Sequence, residues 1–325
     1  MATHLIIGKG PVGSATADLL ASQGNHVRVV SRSGGSGAET PGGGSVEHLA
    51  VDAADARALT AAADGAVAIY NCANPTVYHR WAAEWPPMAT AMLDAAEATG
   101  ATLVMTGNLY AYGPVDGPIT PDLPLAAPGT KGQVRARMWA EALARHDAGR
   151  VHVVEARASD FIGPRVTDGG HLGERAVPRL LHGKGVKVLG DPDAPHSWTY
   201  VPDVARTLVT LGGDERAWGR AWHVPTVEAR SARQMVTALC DAAGVAPVAV
   251  GRVPWSMVRL GGLVVPMLRE LGETRYQFDR PFVLDSTETT GTFGIEPTPL
   301  EAQCAATVAW WRARLGLAEP TLAAA

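Results

Sequence analysis

The stretch LIIGKGPVGSATADLL, residues 5–20, limits the possible folds more than any other part of this chain. An apolar run of strand length ends at a turn carrying Gly8, Gly10 and Gly13, and an alanine-rich run of helical period follows at once. Glycines in this G-x-G-x-x-G spacing allow a tight turn, close approach of backbone to a pyrophosphate, and tight packing of helix on strand. The phosphates then rest on the helix N-terminus, whose unpaired N–H groups favour negative charge. A second strand, HVRVVS, completes the unit. The turn therefore predicts a dinucleotide site that also takes in Lys9, Pro11 and Val12.

The alternation continues downstream. VEHLAVD, AVAIYNC, TLVMTG and VHVVEAR are short, buried-type runs, and AADARALTAAA and PPMATAMLDAAEATG between them read as helices. This pattern predicts an α/β fold, a doubly wound parallel sheet covered by helices on both faces. Residues 33–45 are too glycine-rich for a helix and are expected to form a mobile loop. Past Gly163 proline and glycine rise and the runs shorten. We expect a dinucleotide-binding domain over residues 1–165 and mainly a substrate-binding lobe over 166–325, intertwined with the end of the sheet. Within that lobe the patterns predict a helix near 173–181 and a strand near 186–190 returning to the sheet. A helix from Asp203, a strand at WHVPT and two or three C-terminal helices follow.

The second strand ends in Ser31, Arg32 and Ser33, where an NAD site usually has an acid for the ribose 2′-hydroxyl. A hydroxyl and a guanidinium suit a 2′-phosphate, so NADP is the expected cofactor. The alternative for Arg32 is a solvated loop arginine, and for Lys9 a surface lysine rather than a phosphate contact. Asp52, with Ala53 after it, is either an acceptor for the adenine amino group or the N-cap of the next helix.

A net charge of −4 and a pI near 6.2 give no footing for nucleic acid. Cys72, Cys240 and Cys304 have no metal-ligand spacing and, being odd in number, fit a reducing compartment. No basic n-region opens the chain, and MVRLGGLVVPML is short and contains Arg259, so neither a leader nor a membrane span is expected. These features together predict a cytoplasmic location.

In order along the chain, LIIGKGPVG, YNCANP, LVMTGNLYAYGP, EARASDFIGP and HSWTYVPDVA resemble the successive motifs of the extended short-chain dehydrogenase/reductases, the NAD(P)-dependent epimerase/dehydratase branch. The C-terminal stretch from VLDSTETTG to WWR is similar as well. The resemblance implies a Rossmann-type sheet with a small C-terminal substrate lobe. It also implies cofactor contacts from Cys72, Ala73 and Asn74, from Thr106 and Gly107, and from Ala158, Ser159 and Asp160. A homodimer follows by analogy alone.

The family's chemistry rests on Ser or Thr, Tyr and Lys. Counting back from AYG places Asn108 at the Ser/Thr position. Counting back from Glu141 places Gln133 at the Tyr and Arg137 at the Lys. Amides donate hydrogen bonds but release no proton near neutral pH, and a guanidinium stays charged. Such a pocket can hold a carbonyl or an oxyanion, but it lacks a general acid, worth roughly a hundred- to ten-thousandfold in rate. Arg137 is then expected at the cofactor ribose, Gln133 as a wall of the substrate pocket, and Tyr110 as the displaced proton donor. Thr106, Lys131 and Asp160 are further polar groups near the cleft, each with an ordinary structural role as its alternative. On the substrate side the sequence offers Tyr78, Trp81, Tyr112, His171, His196 and Tyr200, with packing as the alternative for the aromatic rings.

Three functions are compatible with this pattern. The preferred one is an atypical NADP-dependent reductase acting on a small molecule such as an activated alkene, imine or carbonyl. The others are a catalytically silent NADP-binding regulatory protein and a non-redox isomerase, cyclase or lyase.

Overall fold

The computed structural model describes residues 1–39, 43–75, 77–167 and 169–318. Its first half lays down β1 (Thr3–Ile7), α1 (Pro11–Ser22), β2 (His26–Ser31), β3 (Ala38–Glu39) and β4 (Ser45–Ala50). Then come α2 (Ala56–Ala62), β5 (Ala66–Asn71), α3 (Trp81–Thr99), β6 (Thr102–Asn108), α4 (Thr130–Asp147) and β7 (Val153–Ala158). Together with β12 these strands form an eight-stranded sheet in the order β12-β7-β6-β5-β1-β2-β4-β3, where β12 is Ala221–His223. All its pairings are parallel except the short β3–β4 hairpin. The strand order reverses at β1, which opens a crevice at the C-terminal ends of β1 and β5 where ligands of such sheets bind.

Valine and isoleucine fill strands buried on both faces, so each face carries its own core. One holds Leu5, Ile69, Leu103, Trp81, Trp85 and Met138. The other holds Ile6, Val29, Val104, Val154, Leu208 and Trp222. The Rossmann-type sheet expected from the alternation is present. Part of the expected loop at 33–45 is instead the edge strand β3, and residues 40–42 of it lie outside the described residues.

The second half contains β8 (Asp160–Ile162), α5 (Val177–Leu181), β9 (Val186–Leu189), β10 (Pro195–His196), β11 (Trp198–Tyr200) and α6 (Val201–Gly213). After β12 come β13 (Arg230–Ser231), α7 (Ala232–Ala243), β14 (Val250–Val253), α8 (Trp255–Gly261) and α9 (Pro266–Glu270). The chain closes with α10 (Tyr276–Asp279), α11 (Thr287–Phe293) and α12 (Leu300–Leu315). The strand expected to return to the sheet at 186–190 does not do so. It pairs with β14 in a separate two-stranded sheet, and β12 is the strand that joins β7. Alternating Val186 and Val188 need only one covered face, and α5, α7 and α12 supply it in a third core. No helix among the described residues is long and apolar enough to cross a membrane.

Candidate active site

The glycine turn has the shape a dinucleotide needs. Gly8 has a φ of 105°, and a Cβ there would lie 2.8 Å from the Ala73 nitrogen and the Cys72 oxygen. A Cβ on Gly13 would lie 2.0 Å from the Gly8 oxygen, so helix and turn touch through glycine only. A Cβ on Gly10 would meet nothing within 4 Å, leaving open space at the N-terminus of α1, which Pro11 starts and Val12 anchors in the core. The residues present therefore fit a pyrophosphate. Lys9 Nζ donates to the Gly34 oxygen at 2.8 Å and Ser31 Oγ to the same oxygen at 3.4 Å, tying down the loop that carries exposed Arg32 and Ser33. Asp52 is exposed, and its Oδ1 accepts from Ala54 N, with Ala53 between. The N-cap role open to Asp52 falls to Asp55, which accepts from Ala58 N.

Deeper in the crevice, Thr106 donates its hydroxyl to Cys72 Sγ at 3.7 Å, and burial pushes the Cys72 thiol up to about 12. Gly107 of β6 lies against the Glu155 side chain of β7, where a Cβ would come within 2.5 Å of the carboxylate and displace it. Ala158 closes β7 inside the core. Ser159 Oγ is buried without a hydrogen-bond partner among the described residues.

Helix α4 corrects the predicted triad. Gln133 and Arg137 are both exposed, and Gln133 Nε2 merely donates to the Pro128 oxygen. The buried stripe is Lys131, Val134, Arg135, Met138, Trp139 and Ala142, the i, i+3, i+4 spacing of one helical face. That stripe is offset by two residues, about 200° around a helix, from the positions counted back from Glu141. Gly132 is where α4 meets the turn after β6: a Cβ there would lie 2.4 Å from the Tyr110 oxygen and 2.2 Å from Ala127 Cβ. Two residues before Gln133 and Arg137, at the same four-residue spacing, Lys131 and Arg135 are the polar side chains that α4 turns inward. Asn108 remains at the Ser/Thr position, and its Oδ1 accepts from Tyr110 N at 3.1 Å, fixing the turn that follows β6.

Around these residues gathers a cluster of aromatic rings and cations. Tyr78 Oη and Tyr110 Oη are 3.2 Å apart, and Trp81 stacks on Tyr110 with centroids 6.0 Å apart. The Arg135 guanidinium lies over Trp81 and Trp85 and donates to Asn74 Oδ1 and the Thr106 carbonyl. Its Nε is buried with no partner among the described residues, and burial lowers its pKa to about 10, still charged at neutral pH. Lys131 Nζ is 2.6 Å from Glu270, 2.9 Å from Glu273 and 5.6 Å from the Tyr78 ring centre. Burial raises Tyr110 well above the ordinary phenol value, with the neighbouring Tyr78 and Asp160 adding to it. Beside the cluster is a cavity of ≈ 240 Å³ lined by Tyr110, Lys131, Gly132, Glu273, Thr274 and Tyr276. Lys131 was named only as a polar group near the cleft, and Arg135, Glu270 and Glu273 were missed; the close-contact glycine in TKGQ was the available signal.

From the C-terminal lobe, His196 presents Nε2 to Asp160 Oδ2 at 2.7 Å and Nδ1 to the Gln277 carbonyl at 3.1 Å. Burial alone would raise Asp160, but the hydrogen bond and charge of His196 bring it below the ordinary carboxylate value. His171 stacks on Phe278, and burial lowers it to about 4. Tyr112 is not a cavity wall. It is buried, with its hydroxyl accepting from Arg157 Nη1 at 2.6 Å and lying 2.9 Å from His223 Nε2. Tyr200 is also buried, its ring against Gly163 at the start of α6. Neither ring lines the cavity.

A doubly wound parallel sheet with a glycine turn at its crevice defines the class of Rossmann-type α/β folds. Within it, residues 5–223 match the model of the NAD dependent epimerase/dehydratase family, and the chain belongs to that family. Among solved structures it is similar to a dTDP-glucose 4,6-dehydratase from Streptomyces venezuelae with NAD bound, at 20% identity and TM-score 0.75, over 97% of this chain and 98% of that one. A UDP-glucuronic acid 4-epimerase from Bacillus cereus in complex with UDP-glucuronic acid and NAD is similar at 15% identity and TM-score 0.76, over 96% and 99%. The enzyme WbmH of Bordetella bronchiseptica in complex with NAD+ is similar at 20% identity and TM-score 0.72, over 96% and 98%. No curated protein sequence matches the chain. At these identities the likeness speaks for the fold.

Proposed function

We propose that the protein is an NADP-dependent reductase of a small carbonyl compound in which the Tyr78–Tyr110 phenol pair replaces the family's Tyr–Lys acid/base pair. The observation that carries this reading is the 3.2 Å contact between the two hydroxyls, next to Lys131 and Arg135 and at the cavity edge. When bound, the dinucleotide supplies a hydride to the carbonyl carbon. The chain's part is to hold the carbonyl oxygen and protonate it. A buried phenol kept protonated can donate to a nascent alkoxide, but it is a poor base toward an alcohol, so its raised pKa favours reduction over oxidation. The cations beside the rings would steady the phenolate until solvent returns the proton. Arg32 and Ser31 at the end of β2 support the 2′-phosphate, hence NADP over NAD.

A second reading, a sugar-nucleotide enzyme, is favoured by the similarity over nearly the full chain to structures that hold such ligands. The cavity argues against it, since ≈ 240 Å³ lies below the roughly 300–1,000 Å³ of most small-molecule sites. A screen of NADPH oxidation against small aromatic and apolar ketones and against UDP- and dTDP-sugars decides between them. On the accepted ketone, Tyr110→Phe is expected to cut kcat about a hundredfold with little change in NADPH affinity. An unchanged kcat, or turnover of sugar nucleotides alone, would sink the reductase reading.

A further inference from the structure

Of the nine large exposed apolar side chains among the described residues, all but Met1, Val67 and Leu315 fall within residues 257–267. Met257, Leu260, Leu263, Val264, Val265 and Met267 all project from the hairpin formed by α8, the turn after it and α9, with Leu263 and Val264 exposed to 76% and 84%. The hairpin is a defined shape. Val265 N donates to the Gly261 oxygen at 2.8 Å, and a Cβ on Gly262 would lie 3.1 Å from Arg269 N. A contiguous apolar patch of this kind on an otherwise polar surface marks a contact site.

The charges around it identify the occupant. Lys187 on β9, Arg252 on β14, Arg259 on α8 and Arg269 on α9 are exposed, and none enters an ion pair among the described residues. The acids of the same region are engaged: Glu270 and Glu273 hold Lys131, and Asp279 holds Arg275. A chain of net charge −4 thus carries two of these cations, Arg259 and Arg269, on the apolar hairpin itself, with Arg252 on the strand that leads into it. A second copy meeting this face about a two-fold axis would bring those cations against their own images, which disfavours self-association.

We propose that the α8–α9 hairpin docks the protein on an anionic lipid bilayer. The apolar tip enters the acyl boundary while the arginine stems keep their guanidinium groups among the phosphates. Such a tip lies on the membrane and needs no spanning length. Docking also sets the orientation of the cavity, because Glu270 of α9 and Glu273 just beyond it grip Lys131 at the cavity wall. An acceptor ketone dissolved in the bilayer would then meet the site directly, an extension that rests on the reductase reading.

The test is co-sedimentation of the full chain with phosphatidylcholine vesicles, with and without about 30% phosphatidylglycerol. Binding is expected on the anionic vesicles, with little on the neutral ones. The double variant Leu263→Asp/Val264→Asp should lose affinity about tenfold or more, and Arg259→Ser/Arg269→Ser about tenfold. These positions are exposed, and retained NADPH binding with an unchanged circular dichroism spectrum would show that the variants fold. No sedimentation with anionic vesicles, equal binding to neutral ones, or a double variant that binds like wild type would overturn the proposal. So would a wild-type dimer in ultracentrifugation that the same variant dissociates. None of these readouts requires turnover, so failure here is distinguishable from failure of the reductase reading.

Discussion

At Lys131 the chain buries an ammonium, which is tolerable only because two carboxylates meet it. The side chain is 1% exposed and lies between Glu270 and Glu273, themselves 25% and 24% exposed. Removing one member of a buried pair leaves the others uncompensated, although here the glutamates can still reach water. Lys131→Met is therefore expected to cost about 2 kcal/mol of stability, somewhat under the range for fully buried pairs. Urea denaturation measures it, and an unchanged midpoint would mean the two ion pairs contribute nothing. A second residue-scale expectation concerns cofactor choice. Arg32 extends from the end of β2, where a 2′-phosphate would meet it, and charge-assisted contacts contribute about 1.5–3 kcal/mol. Arg32→Ala should erase most of a preference for NADPH over NADH. Calorimetry giving equal affinities for the wild type would rule out the NADP assignment.

At the scale of elements, the placement of α4 against the turn after β6 decides what faces the site. Gly132 is the contact point, and its neighbour one residue on looks outward. Gly132→Ala should push the helix off the Tyr110 carbonyl and cost about 1–3 kcal/mol, the usual cost of overpacking. Gln133→Ala and Arg137→Ala, on the exposed face, should each stay within about 0.5 kcal/mol and leave turnover unchanged. Thermal melts and steady-state rates of the three variants check this. A large loss of activity in Gln133→Ala would restore the register counted from Glu141.

Across the whole molecule, two histidines whose pKa values burial lowers, His223 and His171, make stability depend on pH. His223 lies at the junction of β12 with the C-terminal segment. Its Nδ1 donates to the Asp285 carbonyl at 2.8 Å and its Nε2 lies 2.9 Å from the Tyr112 hydroxyl. Burial lowers it to about 4 from 6.5, and burial lowers His171 to about 4 as well. Between those values the unfolded chain takes up a proton that the native chain refuses, so stability falls as pH falls from neutral toward 4. For His223 the loss by about pH 5 is about 2 kcal/mol. The Tm should drop from pH 7 to pH 5, and His223→Gln, which keeps both hydrogen-bonding roles without titrating, should drop less. A Tm flat across that window would contradict the neutral buried ring.

What could be read without coordinates was whatever local chemistry compels. The Gly8, Gly10 and Gly13 turn and the alternation of valine-rich strands with alanine-rich helices follow from backbone conformation and periodicity. Neither depends on distant residues. Four features required the tertiary structure. The inward face of α4 depends on which residue touches the Tyr110 carbonyl, and a two-residue offset reverses the helix. The Tyr78–Tyr110 pair joins residues 32 positions apart, and the grip of Glu270 and Glu273 on Lys131 spans about 140, so no spacing rule announces either. The strand at 186–189 and β12 are both short and apolar. Which of them enters the sheet was decided by the helices available to cover the other.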